Sequence, residues 1–211
     1  MTGKGLLFIV SGFSGAGKGT IMKELLRRYD NYALSVSATT RKPRPGEEHG
    51  KDYFFISREE FEEMIRNDEL IEYAMYGENY YGTPKKYVEE MMAAGKDVIL
   101  EIEVQGAQKV KEKMPETERI FVTPPCAEEL RRRLLGRGSE SEEEIERRLS
   151  RAVDEAPYMP QYDYILVNDD LDRAVEELHA LIGAAHKKSV HRQDMIDDIN
   201  KQLSDMMRGG N

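Results

Sequence analysis

Apolar positions along the chain fall into short blocks, and the spacing within each block sets the element it predicts. Leu6-Leu7-Phe8-Ile9-Val10 is an unbroken run of strand length, and Ile21-Met22-Lys23-Glu24-Leu25-Leu26 opens a helical pattern that lasts to about Arg28. Tyr32-Ala33-Leu34-Ser35-Val36 predicts a second strand. Val98-Ile99-Leu100, running on through Glu101-Ile102-Glu103, begins a repeat of the continuous apolar style, which Arg119-Ile120-Phe121-Val122 and Tyr164-Ile165-Leu166-Val167 continue. Such runs suit strands covered on both faces. Alternating with helices, they predict an α/β fold: a P-loop-type core with a doubly wound parallel sheet, whose ligands sit beyond the carboxyl ends of the strands.

Two stretches interrupt that core. Thr39 to Gly50 is too rich in proline, glycine and charge for a buried element. It precedes strand-like Asp52-Tyr53-Phe54-Phe55-Ile56, a helix with Phe61, Met64 and Ile65 at helical spacing, and tyrosine-rich strands at 69–76 and 79–82, which together predict a small mixed α+β insert. Ser57 and Glu60 predict a capping box at its helix. Farther on, Arg131, Arg132, Arg133 and Arg137 flank Gly136, and Ser141 with Glu144 predicts a second capping box before Ile145, Leu149, Ala152 and Val153. Two helices about an arginine-bearing hinge have the layout of a lid; the competing reading is a solvated arginine face paired with nearby glutamates. Pro157 and Pro160 close the segment, a helix follows over Leu171–Ala185, and the tail carries an apolar stripe at Ile196, Ile199, Leu203 and Met206 that either docks on the domain or pairs with a partner chain. The expected division is a core of 1–36, 89–128 and 157–186, an insert of 37–88, a lid of 129–156 and a helical tail of 187–211.

With 211 residues and a net charge of −9, the chain supports one good core and lacks the basic face that nucleic acid requires. No apolar run is long enough for a membrane span or a signal segment, so a cytoplasmic location is expected. Cys126, the single cysteine, cannot form an internal disulfide and is expected as a small buried or half-buried residue. The four histidines show no metal-ligand spacing.

Between the first strand and first helix lies Gly12-Phe13-Ser14-Gly15-Ala16-Gly17-Lys18-Gly19-Thr20. Its glycines let the backbone turn tightly and aim N–H groups inward, the helix N-terminus adds positive potential, and Lys18 supplies a mobile ammonium. Gly12, Ser14, Gly15, Ala16, Gly17, Lys18, Gly19 and Thr20 are therefore candidates to hold a nucleotide polyphosphate such as ATP. The usual pattern places Ser or Thr directly after the lysine. Here Gly19 intervenes, so the Thr20 hydroxyl either meets Mg²⁺ or hydrogen-bonds a phosphate oxygen, the metal then resting on phosphates, water and an acid elsewhere.

The segment Thr39-Thr40-Arg41-x-x-Arg44-x-x-Glu47-x-x-Gly50-x-x-Tyr53-x-Phe55 resembles the signature of guanylate kinases. Asn79-Tyr80-Tyr81-Gly82-Thr83, Gln105-Gly106, Pro124-Pro125, Gly136-Arg137-Gly138 and Val167-Asn168-Asp169-Asp170 extend the likeness over about Leu6 to Ala185. The resemblance implies transfer of the γ-phosphoryl group of ATP to GMP, with Mg²⁺ accompanying ATP; a homodimer is expected only if the tail stripe pairs with a partner chain. It assigns Arg41, Arg44, Tyr53 and Tyr81 to the GMP phosphate, Glu72 and Glu103 to the two adjacent donors of guanine, and Ser37 and Thr83 to the rest of that edge. The chemistry agrees, since two arginines separated by two residues can fork onto one phosphate while tyrosine hydroxyls add hydrogen bonds without charge. The alternative is a loop salt-bridged to Glu47 and Glu48. By the same resemblance Lys18, Arg41, Arg133, Arg137 and Arg148 supply catalytic positive charge, Glu101 faces Mg²⁺ through water, and Asn168 lies on the adenine side. Many relatives carry Asp where this chain has Glu101 and Glu103. Competing functions are a guanylate kinase-like protein-interaction module and a kinase for another small phosphate ester.

Overall fold

The computed structural model describes residues 4–136 and 141–208. Five strands, β1 (Leu7–Gly12), β2 (Tyr32–Leu34), β7 (Asp97–Glu101), β8 (Glu118–Thr123) and β9 (Tyr164–Val167), form a parallel sheet in the order β2-β7-β1-β8-β9. The central strand pairs on both sides, with Ile9 opposite Leu100 on one neighbour and Arg119 on the other. Alternation along β1 explains the two layers around it. Phe8 and Val10 face one core with Ile21, Met22 and Leu25 of α1 (Lys18–Arg28) and Val175, Leu178 and Ile182 of α7 (Leu171–Ala185). Leu7 and Ile9 face the other with Val88 of α3 (Lys85–Ala93) and Ala107 and Val110 of α4 (Val104–Lys113). Each fully buried Ile, Leu or Phe contributes about 1.5–3 kcal/mol by leaving water, so the doubly wound sheet is the main store of stability.

A second sheet, ordered β4-β3-β6-β5, is built from β3 (Ala38–Thr39), β4 (Phe54–Phe55), β5 (Leu70–Tyr76) and β6 (Asn79–Pro84). It has its own small core of Ala38, Phe61 and Leu70, where α2 (Arg58–Arg66) packs with Phe61 stacked on Tyr80 at 5.1 Å. The capping box at Ser57 and Glu60 is complete, which fixes where α2 begins. Two further helices, α5 (Ala127–Leu135) and α6 (Glu142–Glu155), follow β8, and α8 (Gln193–Arg208) ends the described chain. Among the described residues no helix is long and apolar enough to cross a membrane.

Three expectations change, and one open alternative is narrowed. The strand read through Glu103 ends at Glu101, and Glu103 becomes the N-cap of α4 in extended conformation, so the two carboxylates belong to different elements. The second capping box is half formed: Ser141 accepts from the Glu144 N–H at 3.3 Å, while the Glu144 carboxylate turns along the helix toward Arg147 at 3.2 Å. Cys126 is exposed, because it sits outside the core as the N-cap of α5. In the tail, the stripe including Ile199, Leu203 and Met206 lies open to solvent instead of docking on the domain.

Candidate active site

The loop between β1 and α1 is shaped by contacts that leave no room for side chains. Gly17 is the N-cap of α1 with φ near +92°, and a Cβ there would stand 2.4 Å from Asn168 Nδ2. A Cβ on Gly12 would meet the Val122 carbonyl oxygen at 2.1 Å. The first turn of α1 contains no acidic residue, so its positive end is left for a ligand's charge. It borders a cavity of about 360 Å³ lined by Ser14, Gly15, Gly17, Lys18, Gly19, Thr20 and Glu101. Lys18 Nζ donates to the carbonyl oxygens of Gly12 and Phe13, at 2.6 and 3.2 Å, which draws the ammonium back over the loop. Ala16 completes the turn as a fully buried residue.

Three outer elements grip this loop. Arg148 of α6 donates to Ser14 Oγ at 3.0 Å, Arg133 of α5 donates to the Asn168 carbonyl oxygen at 2.8 Å, and Asn168 Nδ2 donates to the Ala16 carbonyl oxygen at 2.7 Å. Arg133 is aimed by Glu129, 2.7 Å from its Nε, and the Arg132 and Arg133 guanidiniums hold the Glu129 carboxyl down at about 2. Glu129 therefore stays ionised at any working pH. Arg137 lies outside the described residues.

A second cavity, of about 410 Å³, joins Gly12, Ser14 and Lys18 to Glu101, Glu103, Ser37, Tyr53 and Arg151. A third, of about 470 Å³, shares Ser37, Tyr53, Glu101, Glu103 and Arg151 with it and continues to Arg44, Glu72, Tyr81 and Gly106. The result is one cleft running from the glycine loop into the insert. At its far side Glu72 is buried, and its Oε1 accepts from Thr83 Oγ1 at 2.8 Å. Burial raises the Glu72 carboxyl above its ordinary range, the Thr83 bond acting the other way. Thr83 itself is fully buried, so what it offers the cleft is the orientation of Glu72. Glu101 is open to solvent at the cleft floor yet walled by protein, and that desolvation raises its pKa against the pull of Lys18.

Arg41 makes a two-pronged pair with Glu47, both contacts 2.9 Å, and lies over the rings of Tyr53 and Phe55. Glu47 also accepts from the Arg44 backbone N–H at 2.7 Å, so one carboxylate fixes both arginine positions. The competing salt-bridge reading is thus present for Glu47, whereas Glu48 pairs with Lys51. Arg44, Tyr53 and Tyr81 line the cleft beside it.

Sequence reasoning missed Arg151 and Glu155. Arg151 stands 3.6 Å from Glu103 across the cleft, and Glu155 borders the glycine-loop side with a buried, unpartnered Oε2; its pKa is raised by burial and by Glu103. The signal was available, because residues 148, 151 and 155 follow helical spacing and share one face of α6.

The profile of the guanylate kinase family matches residues 4–185. The chain belongs to the guanylate kinase family. It is 51% identical over 201 residues to the guanylate kinase of Clostridioides difficile, covering 95% of this chain and 98% of the relative, and 51% identical over 206 residues to that of Lactococcus lactis, covering 94% and 99%. The crystal structure of guanylate kinase from Anaplasma phagocytophilum superposes with a TM-score of 0.69 at 36% identity, over 88% of each chain. The family profile thus spans the sheet, the insert and both arginine-bearing helices to the end of α7, and the similarity to the bacterial relatives runs on into the tail.

Proposed function

We infer that the chain transfers the γ-phosphoryl group of ATP to GMP, giving ADP and GDP. The observation that carries this is the shared wall of the cavities: the phosphate loop opens directly into a second site lined by Arg44, Tyr53, Tyr81 and the buried carboxylate of Glu72. A polyphosphate in the loop and a monophosphate beside Arg41, Arg44, Tyr53 and Tyr81 then face each other. The acceptor is an ionised phosphate oxygen and needs no general base, so catalysis consists of holding two anions together with water excluded. Lys18, Arg133 and Arg148 supply charge on the donor side, with Arg137 assigned to the same set by family pattern. Asn168 bounds the adenine side and holds the loop through Ala16.

Guanine presents two adjacent donors, N1–H and the 2-amino group. Glu72 and Glu103 accept them, Ser37 meets the remaining edge, and Thr83 acts through Glu72. Adenine offers an acceptor at the same place and leaves a desolvated carboxylate unpaired, so AMP is rejected.

The donor set suits Mg²⁺. Glu101 and the Thr20 hydroxyl line one cavity with Lys18, and among the described residues no cluster of three metal-ligating side chains exists. One carboxylate, a hydroxyl, waters and nucleotide phosphates are what a small hard cation with a persistent hydration shell accepts. When bound, Mg²⁺ neutralises the donor phosphates; Glu101 would hold it through water. The labour divides along the chain as a core of 1–36, 89–128 and 157–186, a GMP-binding insert of 37–88 and a lid of 129–156, working in the cytoplasm. The reading extends to a homodimer. An interaction module is not favoured, because Lys18, Arg133 and Arg148 all converge on the phosphate loop. A coupled assay of ADP release with GMP or AMP tests the inference. A preference for GMP of about 10³-fold or more in kcat/KM is expected; equal use of AMP would refute it.

A further inference from the structure

The two carboxylates assigned to guanine are held in different ways. Glu72 is only 7% exposed and accepts from Thr83, so its position is set inside the insert. Glu103 stands at the N-cap of α4 without a side-chain cap bond, and its side chain is 48% exposed. Both nevertheless border one cavity. Gly106, one helical turn past Glu103, lies so near the other acid that a Cβ there would stand 3.4 Å from Glu72 Oε2. Capping therefore does not orient Glu103, and its aim toward a bound base depends on neighbours beyond its own helix.

One such neighbour comes from α6. The buried residues Ile145 and Ala152 fix the rotation of that helix, and the adjoining face carries Arg148, Arg151 and Glu155 toward the cleft. Arg148 seats α6 on the phosphate loop through its 3.0 Å bond to Ser14 Oγ. Three residues on, Arg151 Nη1 stands 3.6 Å from Glu103 Oε1. At that separation the contact is an ion pair and not a hydrogen bond. A carboxylate accepts on two oxygens, so a cation beside Oε1 steers the group without exhausting it. Glu155, one turn beyond Arg151, lines the same cavity, and its carboxyl lies in the field of both Glu103 and Arg151. Arg151 thus sets a positive charge against two acids that would otherwise repel each other across the cleft.

We propose that Arg151 is a positioning residue for base selection: from α6 it holds the Glu103 carboxylate in the orientation that accepts from the donor edge of guanine. The inference rests on the reading of Glu103 as a guanine acceptor. It gives α6 a part in choosing the acceptor base, in addition to its grip on the phosphate loop. Adenine offers no donor pair to an oriented Glu103, so the arginine favours GMP and does little for AMP. Both side chains of the pair are about half exposed, which limits the effect to about fivefold.

Steady-state rates on GMP and AMP for Arg151→Met, which keeps an apolar stem and removes the charge, provide the test. For GMP kcat/KM should fall about fivefold, through KM, while kcat/KM for AMP and KM for ATP stay within about twofold. Arg151→Lys should regain most of the loss, because a single ion pair at this distance asks for charge and not for a planar fork. In a Glu103→Gln background Arg151→Met should cost less than about twofold, since no carboxylate remains to be steered. Equal losses on GMP and AMP would overturn the proposal by revealing a merely structural role. So would unchanged use of GMP, a Lys variant no better than Met, or an undiminished loss in the Glu103→Gln background. Glu103→Gln alone separates the two readings. If it leaves the preference for GMP intact, the guanine assignment of Glu103 fails and this proposal with it; if it lowers that preference while Arg151→Met does not, only the role of Arg151 fails.

Discussion

Replacing Glu72 with Gln changes one buried oxygen and little else in shape. In the wild type Oε1 accepts from Thr83 at 2.8 Å, a bond that the Gln carbonyl keeps. The other oxygen becomes an NH₂ that points its own protons at the guanine donors. Losing one charge-assisted hydrogen bond costs about 1.5–3 kcal/mol, and the donor clash adds to it, so KM for GMP should rise by about 10²-fold. KM for ATP should stay within about twofold, because Glu72 belongs to the insert side of the cleft and not to the phosphate-loop cavity. Stability separates this from a folding defect. Burial raises the folded-state pKa of Glu72 above its unfolded value, so the carboxyl favours folding fully only below the unfolded pKa, and that contribution is lost as pH rises through the folded one. The neutral amide escapes the loss, and the variant should melt at or above the wild-type temperature at neutral pH. Steady-state rates against each nucleotide, with a thermal melt, provide the readout. An unchanged KM for GMP, or equal rises for both nucleotides, would refute the assignment.

Lys18→Ala should lower turnover by about 10²- to 10³-fold while circular dichroism stays native; undiminished turnover would remove Lys18 from charge stabilisation. Gly17→Ala forces a side chain into positive φ and onto Asn168 Nδ2, so the melting temperature should fall, by the equivalent of about 2 kcal/mol. Gly19→Ala meets nothing within 4 Å and should leave the melt unchanged or up to about 1 kcal/mol higher. Glu101 has its pKa raised by burial, so wild-type Mg²⁺ affinity should weaken as pH falls through that raised value, and Glu101→Gln should be weak and flat across the same range. Titrating Mg²⁺ at several pH values tests this.

The phosphate loop was legible because strand, glycine turn and helix are consecutive, and local sequence determines each. The core followed from continuous apolar runs that only a sheet covered on both faces buries. What sequence could not place depends on elements meeting in space. Arg151 and Glu155 reach the cleft only because α6 lies across it, and Glu47 fixes both the Arg41 side chain and the Arg44 backbone through a loop fold that no periodicity encodes. The apolar run through Ile102 hid the strand end at Glu101, since a strand and an N-cap share extended backbone angles. Thr83 reads as a cleft hydroxyl in sequence, but the pleat turns it inward to Glu72.

The central claim is that the loop and the insert hold two nucleotides for direct transfer between them. ATP labelled at the γ-phosphorus, incubated with GMP, Mg²⁺ and the protein, tests it most directly. The label should appear in GDP, depend on GMP, and leave inorganic phosphate at background. Label released as inorganic phosphate, or remaining in ATP, would contradict the account.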